Sequence, residues 1–86
     1  MISAIKTPWQ KPIEVTPKEN YRLDIIMENQ QSIELDLTPL ISSREAFWRL
    51  KNIKYFQQVS IDELGGLCWA EGEDISPTKL LIYAIN

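Results

Sequence analysis

Trp69-Ala70-Glu71-Gly72-Glu73-Asp74-Ile75-Ser76-Pro77 is the stretch on which the reading of this chain turns. It has the marks of an apolar strand ending, a tight acidic turn, and the start of a last helix. Trp69 belongs in the core, and Gly72 supplies the backbone freedom that a sharp reversal needs. Ser76 suits a helix N-cap, with Pro77 at the first helical position, where a missing amide donor costs nothing. Asp74 is a second group able to bond the helix-start amides. Trp69 should therefore be costly to remove, whereas Glu71 and Glu73 read as solvated turn acids whose replacement should scarcely matter.

Leu80, Leu81, Ala84 and Ile85 give the closing helix an apolar stripe. Upstream, Val59 and Ile61 form the inner face of a strand, and Asp62-Glu63-Leu64-Gly65-Gly66 turns it back into Leu67-Cys68-Trp69-Ala70. Before that hairpin, Ser42-Ser43-Arg44-Glu45 has the S-x-x-E form of a capping box. Ala46, Phe47, Leu50 and Ile53 follow at helical spacing, Arg44, Glu45, Arg49 and Lys51 supply the solvated side, and Asn52 terminates the helix. Lys54-Tyr55-Phe56 connects it onward and drops an aromatic ring into the core, while Thr38-Pro39-Leu40-Ile41 predicts a separate helical turn.

Earlier still, Tyr21, Leu23, Ile25 and Met27 alternate with Arg22, Asp24 and Ile26, and Ile33, Leu35 and Leu37 alternate with Glu34 and Asp36. Glu28-Asn29-Gln30-Gln31 joins these strands into a first hairpin, with Asn29 suited to a left-handed turn position. Ile13-Glu14-Val15, bracketed by Pro12 and Pro17, fits an edge strand. Residues 1–8 read as an arm or short edge strand. The expected fold is α+β: a small antiparallel sheet of two β-hairpins plus an edge strand, one helix between the hairpins, and one C-terminal helix.

At 86 residues, 44% hydrophobic and 24% charged, the chain (residues 1–86) has the size and composition of a single globular domain. Its longest apolar run is too short to span a bilayer, so no membrane association is expected. The lone Cys68 and the lack of an export signal point to a reducing, cytoplasmic setting. Net charge is −3 with no basic block, which weighs against nucleic acid as the main partner.

The anchors resemble a bacterial family, the domain of unknown function 2442, from about Ile13 to Leu81. They are Tyr21-x-Leu23, Asp36-Leu37-Thr38-Pro39-Leu40-Ile41, Phe47-x-x-Leu50, Phe56-x-x-Val59-x-Ile61-Asp62, Leu67-x-Trp69 and Asp74-Ile75-Ser76-Pro77-x-x-Leu80. The first hairpin turn departs by lacking glycine, and Leu81 stands where a tyrosine is expected. The resemblance implies a small α+β fold, found alone or joined to a helix-turn-helix domain. It further implies toxin-antitoxin-like gene arrangements and offers no catalytic residues to carry over.

Chemistry is limited by the absence of histidine, the usual general base and metal ligand. Cys68 lacks the partner a nucleophile needs and reads as a buried filler. Glu71, Glu73 and Asp74 lack the spacing of a calcium loop, and Gly65-Gly66 lacks the lysine of a phosphate loop. No enzyme activity, cofactor or metal is expected. The aromatic residues exceed what so small a core needs, so Trp48, Arg49, Tyr55 and Trp9 are candidates for a protein-interaction surface. The expectation is a non-catalytic interaction module, the partner or antitoxin-like half of an operon pair, with a homodimer left open. The alternative is a nucleic-acid-associated regulator using Lys6, Lys11, Lys18 and Arg22.

Overall fold

The computed structural model describes residues 11–85. Trp9, Lys6 and the arm assigned to residues 1–8 lie outside them. Strands β1 (Pro12–Pro17), β2 (Arg22–Met27) and β3 (Ser32–Asp36) form an antiparallel meander in that spatial order. A second three-stranded meander joins β4 (Ser60–Ile61), β5 (Leu67–Cys68) and β6 (Asp74–Ile75). The α+β class and both hairpins are as expected, and the strands divide between two small sheets. Strand β6 escaped the sequence reading because Ile75 is its only apolar residue, leaving no alternation to see.

In the first sheet, Val15, Ile25 and Ile33 line up across the strands, as do Pro17, Leu23 and Leu35. These rows place Leu23, Ile25 and Leu35 fully inside. The register of β1 slips between Pro12 and Glu14, leaving Ile13 as an extra residue. A bulge of this kind reverses side-chain parity, so Pro12 turns inward and Ile13 is exposed. At the β2–β3 turn the left-handed residue is Gln30, with φ 73°, rather than Asn29. Asn29 instead accepts the Gln31 amide through its side-chain oxygen at 3.0 Å.

The helical stretch between the hairpins is broken into α1 (Thr38–Ser43), a 3₁₀ segment kinked at Phe47 (Glu45–Lys51) and α2 (Ile53–Phe56). The Ser42–Glu45 capping box does not form. The Ser42 and Ser43 hydroxyls donate back to the carbonyls of Thr38 and Pro39, bonds that end α1. The N-cap of the 3₁₀ segment is Arg44, without a side-chain cap. Asn52 does end this segment, and its side chain accepts from the amides of Lys54 and Tyr55 to begin α2. Ala46 and Ile53, expected on the buried stripe, are exposed. Only Phe47 and Leu50, three apart, point inward.

The closing element is a 3₁₀ segment (Pro77–Tyr83) rather than an α-helix. Side chains three apart eclipse in this geometry. Leu80 is therefore buried between the half-buried Pro77 and Tyr83, while Leu81 is exposed, contrary to the α-helical stripe. Beyond it, Ala84 bridges Leu35, and the Ile85 amide donates to the Glu34 carbonyl at 2.8 Å. Leu23, Ile25, Leu35, Leu37, Leu50, Phe56, Leu67 and Leu80 are the fully buried centre of one core shared by the sheets and helical segments.

Gly66 sits against the backbone of β6. A Cβ at this position would lie 2.6 Å from the Ile75 carbonyl oxygen, so β6 would have to move. Gly66→Ala should cost about 1–3 kcal/mol by overpacking, read as a lower urea midpoint at unchanged slope. An unaltered midpoint would mean that the sheet has slack there. Gly72, at φ 111°, stands in open space, so its requirement is conformational only.

Candidate functional site

Two of the candidate interaction residues, Arg49 and Tyr55, meet around an acid expected to be solvated. Glu73 is 7% exposed, and its main-chain carbonyl accepts the Trp69 amide at 2.9 Å. Its side chain points back toward the helical layer. There the Arg49 guanidinium donates to Oε2 at 3.1 Å and the Tyr55 hydroxyl donates to Oε1 at 2.5 Å. The Glu71 amide in turn donates to the Tyr55 oxygen at 2.8 Å. Glu73 is thus a buried tie between the acidic turn and the 3₁₀ and α2 segments, which corrects its reading as a solvated acid. Glu71 remains exposed and enters this network through its backbone alone.

The electrostatics follow from that pairing. Burial pushes the Glu73 carboxyl up, but hydrogen bonds from Tyr55, its own backbone amide and Arg49, together with the Arg49 charge, outweigh burial and leave it below the ordinary value. Burial and the bond to Glu73 raise Tyr55, which keeps its proton as the donor at neutral pH. Asp36 is also lowered, chiefly because its side chain accepts the Thr38 amide at the start of α1.

Above the tie, Trp48 is 59% exposed. The Arg49 guanidinium lies 5.0 Å from its ring centroid, a cation–π distance. Trp48 and Lys51, three apart in the 3₁₀ segment, share one outer face. Together with Arg49, Asn52 and Tyr55 they line a shallow hollow of about 510 Å³. A second hollow of about 510 Å³ lies on the other side of Arg49, between Arg44 and Lys79 and the acidic turn.

At the corner itself, Trp69 is 4% exposed and its indole N–H donates to the Phe56 carbonyl at 3.0 Å. Asp74 belongs to β6 and is exposed, so it bonds no helix-start amide. Ser76 occupies the cap position before Pro77 without a side-chain bond to the backbone; its hydroxyl meets that of Thr78 at 3.2 Å. Cys68 points outward from Leu67 and Trp69 and is half-buried rather than core filler, with its sulfur 3.3 Å from the Ser60 hydroxyl. Of the basic residues near the N-terminal end, Lys18 pairs with Asp24 at 3.3 Å and Arg22 with Glu34 at 3.9 Å.

Among the described residues no group of histidine, cysteine and acidic side chains is placed to hold a metal ion. No described helix is long and apolar enough to cross a membrane. Sheets, core and surface together define a small α+β domain that presents an aromatic and basic shelf. The chain belongs to the family described as protein of unknown function, DUF2442, whose model matches residues 12–86. Neither a curated protein nor a solved structure matches it.

Proposed function

We propose that this chain is a non-catalytic protein-interaction module, the partner or antitoxin-like half of a small operon pair, and that it binds through the Trp48 shelf. The observation that carries the reading is the exposed Trp48 ring, held by Arg49 and continuous with Tyr55. Tryptophan, arginine and tyrosine are the residue types that dominate binding hot spots. Because Glu73 fixes Arg49 and Tyr55 from beneath, little side-chain freedom is left to lose on association. The nucleic-acid alternative has less support, since Lys18 and Arg22 are already paired with carboxylates.

The test is co-expression with the protein encoded beside it, followed by size-exclusion chromatography and titration calorimetry. A defined complex is expected, and Trp48→Ala should weaken it about tenfold or more while leaving thermal stability nearly unchanged. If the neighbour is toxic alone, co-expression should relieve it. A chain that forms no complex, or one indifferent to Trp48, would remove this reading.

A further inference from the structure

Basic charge in this acidic chain is concentrated in the segment that carries the shelf. Arg44, Arg49, Lys51 and Lys54 are four of its nine basic residues, and Glu45 is the only acid between positions 44 and 54. Arg49 is engaged by Glu73, whereas among the described residues Arg44, Lys51 and Lys54 have no carboxylate within ion-pair range. The other polar groups of the hollow are largely committed. The Asn52 side-chain oxygen caps α2, the Tyr55 hydroxyl is held between Glu73 and Glu71, and the Lys51 carbonyl accepts the Tyr21 hydroxyl at 2.6 Å. The hollow therefore offers ring faces and an unpaired ammonium group.

Resting on the interaction reading above, we infer that the shelf docks an acidic segment of the partner protein. An aromatic or large aliphatic side chain of that segment seats between Trp48 and Tyr55, and a carboxylate flanking it faces Lys51. Charge complementarity is local here, since at physiological salt the screening length is about 8 Å: of the acids near the shelf, Glu73 is paired with Arg49 and Glu71 lines the other hollow, which leaves Lys51 as the unpaired charge lining this one. Nucleic acid fits less well. Its affinity depends on many phosphate contacts, and the one arginine lining this hollow is already held by a buried carboxylate.

Nitrogen-15 NMR of the full chain tests the chemistry, with the Trp48 indole N–H assigned through Trp48→Phe. Four probes are titrated: a short peptide with phenylalanine flanked by glutamates, its serine-for-phenylalanine version, its lysine-for-glutamate version, and a single-stranded oligothymidine. The glutamate–phenylalanine peptide should shift the Trp48 signal saturably, with about tenfold weaker binding of the serine and lysine versions. Lys51→Glu should lower its affinity by a similar factor and Lys51→Arg should retain it. Equal binding of the lysine peptide, a response to oligothymidine alone, or self-association that occupies the shelf without peptide would overturn the inference. If the acidic peptide fails while the operon partner still binds in a Trp48-dependent way, the acidic chemistry falls and the interaction reading stands. If the partner also ignores Trp48, both fall.

Discussion

Trp69→Ala should destabilise the domain by about 3–5 kcal/mol, the range for removing a buried aromatic ring. The indole is 4% exposed, lies 6.3 Å from the Phe56 ring in a tilted arrangement, and reaches across to the Phe56 carbonyl. It therefore links β5 to the end of α2 by packing and by a hydrogen bond at once. The packing contributes more, because the Val59 amide also donates to the Phe56 carbonyl, at 3.3 Å, and would keep it partly satisfied. Trp69→Phe separates the two effects: it keeps most of the ring volume and should cost about 1–2 kcal/mol. Urea unfolding followed by circular dichroism provides the measurement. Domains of this kind have total stabilities of about 5–15 kcal/mol, so the alanine variant should lose a large fraction of the total and unfold at a much lower urea concentration. A loss below about 1 kcal/mol would mean that the ring is not the anchor of the corner.

The second large effect is expected at Glu73. Glu73→Ala removes the acceptor of the Arg49 and Tyr55 side chains and should cost about 2–3 kcal/mol. The cost stays below that of breaking a fully buried pair, because the Arg49 side chain is 38% exposed and water can replace the lost partner. Acid should act on the same tie. The folded carboxyl titrates below its ordinary value of 4.5, so its contribution is complete above that value and disappears as pH falls through the folded pKa. Glu73→Gln should therefore lower the urea midpoint at pH 7 and flatten the decline toward pH 3. Asp36, also lowered by its bond from Thr38, should preserve the remaining slope. An acid limb identical in wild type and Glu73→Gln would show that the carboxylate does not hold the layers together.

Residues with long-period patterning announced their structure in the sequence. Leu23, Ile25, Leu35 and Leu37 alternate over enough positions for strand and face to be read together, and all are fully buried. The helical segments were harder because 3₁₀ and α geometry select different neighbours over so few residues. Spacing three joins Pro77 to Leu80, and the helical backbone breaks at Phe47, whereas an α-helical stripe adds Ile53 and Leu81, which lie outside. At the candidate site, Trp48, Arg49 and Tyr55 were legible as residue types enriched at interfaces. Glu73 was not, since its burial depends on the pairing of β5 with β6, and two-residue strands leave almost no periodic signal. Its one local sign was position: Trp69 and Glu73 flank the reversal and exchange a main-chain bond, which turns the glutamate inward.

The short bridge from Ala84 to Leu35 changes how the first sheet meets other molecules. By occupying hydrogen-bonding groups along β3, Ala84 and Ile85 seal part of one rim against a strand from a neighbour. The opposite rim, β1, carries a bulge and a proline at each end, which disfavour continuous ladder growth. Neither margin of the first sheet invites fibril-like stacking.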